Sequence, residues 1–368
     1  MRFAVSLLSL RPGRIGGTET YLRELLREMP AEAGQDELVV VMDRDVAREL
    51  ETPGFERVVV DQSAGRIVLD RVLEAYTVWR SRGLERAFER IGADALFFPQ
   101  QSIFPKRVRG RVVLTVVDVG YLFYPESLNL FDRTFRPAVY PRSMERADRI
   151  VAISEFTKRT VVARCGVPPS KVVSIPLGFR RSDAQSVKPT ELVRGPYVYY
   201  PAVTHPFKNH ALLFRTYAAL KKSGRLSEKL VLTGAKTPAW RDLERLAREL
   251  GVGNDVVHLG YLPSSEVRRV YAGASAVLFP TRFEGFGLPV TEAVEFGKKV
   301  ITSRLEIFDE LGVPKRFQID FGEPEELLRA LRSEGTTVLE REPSSWREMA
   351  ARTLKVLRQV GSGRSDSS

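Results

Sequence analysis

Short apolar runs alternate with helix-patterned segments along nearly all of this 368-residue chain. Runs of that kind are buried strands of parallel sheets, and the segments between them are crossover helices. The runs predict strands near 2–8, 38–42, 57–60, 94–98, 111–117, 149–153 and 171–175. A second set falls near 197–201, 229–233, 255–259, 275–280, 299–303 and 316–319. Helices are expected near 18–29, 67–90, 132–147 and 155–165, then near 208–223, 238–250, 264–272, 288–297, 323–332 and 344–359. A chain of this length exceeds one ordinary core, so two α/β domains are expected, at 1–182 and 196–340. A polar, unpatterned stretch at 183–195 reads as their linker. An amphipathic helix carrying Trp346, Met349, Leu354 and Leu357 comes next, within 341–360, and the small polar tail at 361–368 reads as disordered.

The most specific string is Arg282-Phe283-Glu284-Gly285-Phe286-Gly287-Leu288-Pro289-Val290-Thr291-Glu292. An apolar run precedes it, so it reads as strand, loop and helix start. Gly285 and Gly287 allow a sharp turn and close approach of a ligand to the main chain. Pro289 suits a first helical turn. The free N–H groups and the positive dipole end of that helix favour an anion such as a phosphate. Glu284 and Glu292 flank this anion site, and carboxylates so placed accept hydrogen bonds from hydroxyls, as on a sugar or ribose. Taken alone, two glutamates at this spacing are as compatible with a solvated βα loop.

Composition narrows the class. One cysteine, Cys165, forms no intramolecular disulfide, and three histidines with one cysteine leave little for a zinc site. A reducing, cytoplasmic setting is the expectation. The N-terminal apolar run is brief and lacks a small-residue cleavage site, so it reads as a buried first strand. No run approaches the ~20 residues that span a bilayer. The net charge of +11 is spread over both halves, so no nucleic-acid-binding arm stands out. Such a surface suits anionic substrates and an anionic membrane face, and equally suits an arginine-rich genome. From Leu69 to Ile91, aromatic and aliphatic residues interleave with arginines. That pattern fits either packed core with a solvated face or docking on anionic lipid headgroups.

The string from Glu284 to Glu292 resembles the E-x(7)-E motif of the retaining glycosyltransferases of family 4 (glycosyl transferases group 1). Other segments strengthen the resemblance: Gly16-Gly17-Thr18-Glu19 after the first strand, Ala147-Asp148-Arg149-Ile150 running to Ser154 and Lys158, and Tyr200-Pro201-Ala202 running to Lys208-Asn209-His210. It implies a GT-B fold, an α/β architecture of two Rossmann-like domains with parallel sheets facing across a cleft. It implies a hexosyltransferase that uses a nucleotide-sugar as co-substrate, with no other cofactor and no required metal. The acceptor is a glycan or a lipid-linked glycan. An anionic membrane surface is a further partner, at the inner face of the membrane, and nucleic acid is not one.

The same resemblance implies roles for residues. Glu284, Lys208 and Asp118 are the catalytic candidates. Gly17, Arg282, Gly285, Phe286, Gly287, Leu288, Glu292, Gly234, Tyr261 and Leu262 are donor-binding candidates. Gly16, Glu19 and Ser154 lie on the acceptor side, with Thr18 and Ser154 expected as helix caps. Two positions depart from the family pattern. Val117 stands where the family usually has histidine, and Ala202 where it commonly has arginine. A valine neither hydrogen-bonds nor titrates, which implies a different substrate preference or reduced activity. The competing readings are a nucleotide-sugar epimerase on the same fold and a non-catalytic sugar-nucleotide-binding subunit.

Overall fold

The computed structural model describes residues 1–11, 16–179 and 184–363. It divides into two compact units. The first comprises Met1–Gly178 with the chain from Ser344 onward, and the second comprises Phe179–Pro343.

The first unit holds strands β1 (Arg2–Ser6), β2 (Glu37–Asp43), β3 (Glu56–Val60), β4 (Ala95–Phe98), β5 (Val112–Val116), β6 (Arg149–Ala152) and β7 (Val172–Ser174). Between them run helices α1 (Gly17–Ala33), α2 (Arg44–Glu49), α3 (Ala64–Tyr76), α4 (Arg82–Ile91), α5 (Leu130–Arg146) and α6 (Glu155–Cys165). The second unit holds β8 (Tyr197–Pro201), α7 (His210–Lys222), β9 (Lys229–Thr233), α8 (Trp240–Glu249), β10 (Val256–His258) and α9 (Ser264–Gly273). It continues with β11 (Ala276–Phe279), α10 (Leu288–Glu295), β12 (Lys299–Ser303), α11 (Glu306–Glu310), β13 (Gln318–Ile319) and α12 (Pro324–Arg332). The last helix, α13 (Trp346–Gly361), belongs to the first unit.

Both sheets are parallel, in the order β3-β2-β1-β4-β5-β6-β7 and β10-β9-β8-β11-β12-β13. Their central strands are apolar on both faces because helices cover both faces. Phe3, Ala4 and Val5 of β1 are wholly buried, with Ala4 level with Val39 on one side and Leu96 on the other. In each sheet the strand order reverses once, between β1 and β4 and between β8 and β11. At such a reversal the loops leaving the two strands diverge and open a crevice at their carboxyl ends, where α/β proteins bind ligands.

Three expectations need revision. The helix expected over 67–90 is two helices, because the chain turns between Thr77 and Ser81. The Thr77 hydroxyl donates to the Leu73 carbonyl (2.5 Å) and accepts the Trp79 N–H (3.0 Å), while the buried Glu74 carboxylate accepts the Ser81 N–H (2.7 Å). These local bonds compete with helix continuation. Thr18 does not cap α1. The cap position is Gly16, with no side-chain hydrogen bond. Residues 184–195, expected as a linker, are part of the second unit, where the Thr190 N–H donates to the Arg269 carbonyl (3.1 Å). The rest of that stretch, and the tail at 364–368, lie outside the described residues. The short helices α2 and α11 have no counterpart in the sequence pattern. Asp43 starts the first of them by accepting the N–H groups of Asp45 and Val46, each at 3.0 Å.

Helix α13 is opened by a capping box between Ser345 and Glu348 and buries Trp346, Met349, Leu354 and Leu357. Arg358 donates to Asp36 (2.6 Å) and Arg352 to the Ser174 carbonyl (2.6 Å). Its first turn meets the chain leaving β7 so closely that a Cβ on Gly178 would sit 2.4 Å from the Trp346 Cα and N. Backbone atoms cannot yield as a flexible side chain can, so Gly178→Ala is expected to cost ~1–3 kcal/mol. Urea denaturation of the full chain, followed by Trp fluorescence, measures it.

Candidate active site

The second unit gathers its charged candidates at the strand reversal. The loop after β8 delivers Lys208 and the loop after β11 delivers Glu284. The two side chains form an ion pair, with 18% and 12% of their side-chain surfaces exposed. A backbone bond ties the loops together, from the Arg282 N–H to the Phe207 carbonyl (2.8 Å). Beneath them the Tyr200 hydroxyl donates to the Lys208 carbonyl (2.8 Å) and the Thr281 hydroxyl to the Phe283 carbonyl (2.9 Å). Tyr200 is wholly buried, and burial together with the Glu284 charge raises its phenol well above its ordinary range. These hydroxyls therefore stay protonated and act as fixed donors.

Gly287 is the N-cap of α10, at φ 98°. That conformation suits glycine, and a Cβ there would also press to 3.3 Å from Phe308 and Leu311. Pro289 lies in the first turn, as expected. Phe286 and Leu288 are buried, so their side chains build the loop's core. Gly285 and the exposed Arg282 complete the loop.

Glu292 stands one turn into α10. Its carboxylate accepts the Tyr271 hydroxyl at 2.9 Å. Burial pushes its pKa up to about 7, against the lowering effect of the Tyr271 bond, with Glu295 adding repulsion and Arg268 opposing it. The carboxylate is thus partly protonated near neutral pH. Tyr271 was not visible as a site residue in the sequence. It sits in the apolar pattern of α9, and nothing in that pattern marks its hydroxyl as Glu292's partner.

Gly234 closes the strand before it by donating its N–H to the Gly260 carbonyl (2.8 Å), which brings the Gly234 turn beside Tyr261 and Leu262. Tyr261 is exposed and Leu262 half-buried. Ala202 is buried against this turn. His210 is core, packed 4.8 Å from the Tyr200 ring, and burial pushes its pKa down to about 3. His258 lies in β10 and accepts the Gly260 N–H on Nδ1 (2.9 Å).

In the first unit the candidates lie beyond the ends of β1, β5 and β6. Gly16 and Gly17 are exposed at the start of α1, and Glu19 pairs with Arg23 at 2.8 Å. Asp118 uses one carboxylate oxygen to accept the Gly120 N–H (2.7 Å), while its carbonyl accepts the Gln101 side chain. Ser154 is fully buried and caps α6 by accepting the Thr157 N–H (2.9 Å). Its hydroxyl is therefore spent on the fold. Val117 is half-buried beside Asp118. Among the described residues, no group of three or more His, Cys, Asp or Glu side chains is arranged to hold a metal ion.

Two family matches cover most of the chain. Residues 182–335 match glycosyl transferases group 1, and residues 15–183 match glycosyltransferase family 4. The chain belongs to the group 1 glycosyltransferases. Among curated relatives, the O-antigen chain mannosyltransferase B of Escherichia coli is 25% identical over 65% of this chain and 65% of its own length. The O-antigen chain mannosyltransferase RfbU of Salmonella typhimurium is 24% identical over 54% of this chain and 53% of its own length. The chain therefore spans less than two thirds of either relative. Among solved structures, Anabaena HepE in complex with UDP and glucose superposes with a TM-score of 0.63 at 18% identity, over 98% of this chain and 95% of that one. That likeness shows the GT-B fold of this chain.

The raised pKa of Glu292 has a measurable sign. The folded state binds this proton more tightly than the unfolded state does, so the contribution is present below about pH 4.5 and is lost as pH rises towards 7. Glu292→Gln is therefore expected to leave melting near pH 4.5 unchanged and to raise it by ~2 °C or more at pH 8. Differential scanning calorimetry of both proteins across that range tests this.

Proposed function

We propose that this glycosyltransferase moves a hexose from a nucleotide-sugar to a glycan or lipid-linked acceptor, with retention at the anomeric carbon and without a metal ion. The observation that carries the reading is the ion pair of Lys208 and Glu284 at the strand reversal, with Glu284 in the loop that leads into the amino end of α10. In the proposed reaction the bond between the anomeric carbon and the diphosphate oxygen breaks, and its electron pair leaves with the nucleoside diphosphate. The acceptor oxygen bonds to the same face of the sugar, and its proton passes to the departing phosphate oxygen.

Each group then has a task. The Lys208 cation and the α10 N–H groups stabilise charge on the diphosphate as it develops, with the exposed Arg282 within the same loop. Glu284 orients Lys208 and accepts sugar hydroxyls near the reacting carbon. Glu292 accepts the ribose hydroxyls in its charged form, so donor binding is expected to release a proton near pH 7. Gly234, Tyr261 and Leu262 flank the base, and Asp118 and Glu19 serve the acceptor. The relatives named as mannosyltransferases favour mannose among the hexoses. Their names, which refer to the O-antigen chain, favour a glycan acceptor, and a lipid-linked one at the inner membrane face is what the family resemblance implies. Among the described residues no helix is long and apolar enough to cross a membrane, so docking would be peripheral.

A thermal-shift screen of UDP-, GDP-, ADP- and dTDP-linked hexoses identifies the donor, since a ligand that binds the folded state raises melting with occupancy. With that donor, Lys208→Ala and Glu284→Gln are each expected to lower turnover at least ~10-fold, because each removes a charge-assisted contact. Wild-type turnover in both variants would defeat the assignment. Donor binding by the native chain without turnover on any lipid-linked acceptor would point to a non-catalytic subunit, the reading that Val117 favours.

A further inference from the structure

Between α3, α5 and the segment after β4, the first unit holds a half-open cavity of about 80 Å³. None of the residues assigned above lines it. Its cationic walls are Arg71, Lys106, Arg142 and Arg146, and its single acid is Glu74. Glu74 is already engaged, since its carboxylate oxygens accept the N–H groups of Ser81 and Lys106, each at 2.7 Å. Lys106 Nζ rests on the carbonyls of Glu74 (2.6 Å) and Thr77 (2.9 Å). Arg142 reaches the Ala75 carbonyl (3.2 Å) and Arg146 the Gly110 carbonyl (2.8 Å).

Arg71 differs from the other three. Its guanidinium donates to the Ser102 hydroxyl (2.9 Å) and lies 5.5 Å over the Phe135 ring. Arg146 is paired with Asp148 (3.6 Å), whereas among the described residues Arg71, Lys106 and Arg142 form no ion pair, and Arg71 is half-buried. A partly desolvated cation without a counter-ion is costly, and an anion in the cavity relieves that cost. The cavity opens to solvent on one side, so an anionic group can enter it from the surface.

The rim is apolar where a soluble surface would be polar. Phe131 stacks 5.1 Å from the cavity-lining Phe135, and the Tyr76 hydroxyl reaches Thr134 across the two helices (2.9 Å). Beside them Val78 is 91% exposed and Leu130 81% exposed, and Trp79 is exposed with Arg66 over its ring. The turn that splits α3 from α4 is what presents Val78 and Trp79. Charge in the cavity and apolar side chains around it match a molecule with an anionic phosphate and an apolar tail.

We propose that this cavity receives the phosphate of an anionic lipid headgroup, with Val78, Trp79, Leu130 and Phe131 entering the apolar layer beside it. Arg71 is the anchoring cation. The inference gives a structural basis to the membrane-side part of the proposed function, and it is tested without donor sugar, so failure of docking and failure of glycosyl transfer are separate results.

The experiment is co-sedimentation of the full chain with vesicles of phosphatidylcholine, alone or doped with phosphatidylglycerol. The native chain is expected to bind the anionic vesicles and to leave the neutral ones. Arg71→Met is expected to weaken anionic-vesicle binding ~5-fold or more, the effect of one well-placed cation at an anionic surface. Val78→Asp, at a position too exposed to affect folding, is expected to weaken it similarly, and it decides the matter if Arg71→Met does not fold. Equal binding to both vesicles, or native-like binding by Val78→Asp or by folded Arg71→Met, overturns the proposal. So does a thermal shift with inorganic phosphate that depends on Arg71 while no vesicle is bound, since the cavity would then serve free phosphate.

Discussion

Lys208 and Glu284 hold each other across the place where the second sheet reverses its strand order. Parallel strands β8 and β11 are neighbours, with Val198 level with Ala276, yet the loops that leave them diverge. The ion pair joins those loops over a sequence separation of 76 residues, and the Arg282 N–H to the Phe207 carbonyl makes a second tie. Neither charge is fully solvated, so each would be costly alone. Pairing offsets that cost and fixes the ammonium in one direction. The rest of the site depends on this arrangement, because a flexible lysine on a solvated loop would lose its orientation before any ligand arrived.

Glu292 shows the opposite economy. It has a hydroxyl partner in Tyr271 and a like charge nearby in Glu295, and burial holds its pKa near 7. In the absence of ligand its charged form is unfavourable. Polar groups that are poorly served in the free protein are common where a ligand completes the set, and they set stability against function. The two glutamates of this motif therefore differ physically. Glu284 is satisfied by a cation within the protein, whereas the partner of Glu292 is a neutral hydroxyl, and on the proposed reading the donor's ribose hydroxyls complete it.

Strands were legible in this sequence because fully buried parallel strands are written as unbroken apolar runs, as in Val112–Val116. Helices were legible where one face is buried for their whole length, as in α13. The break at Thr77 was not, since it depends on Glu74 reaching Ser81 and Lys106, contacts that no periodicity encodes. The site divides in the same way. Glu284, Gly287, Glu292 and Lys208 announce themselves through residue types that a plain loop does not need. Tyr271 and Tyr200 look like core and act as core, and only their hydroxyl directions connect them to the site. Conversely, Ser154, Phe286 and Leu288 sit in recognisable strings while their side chains serve folding.

The replacement at Ala202 then acquires a physical meaning. Ala202 is buried against the turn at Gly234, whose added Cβ would lie 2.9 Å from the Ala202 carbonyl carbon and oxygen. The backbone itself fills the space beside this residue. On the proposed reading, a diphosphate here meets one lysine whose charge is already shared with Glu284, and a helix end worth roughly half a positive charge. Those two sources fall short of the charge on a diphosphate. On the proposed reading a further positive charge comes from Arg282, held by its backbone to the strand-end turn that carries Lys208. The charge that the family commonly places before the lysine would thus be supplied here from the loop that also carries Glu284.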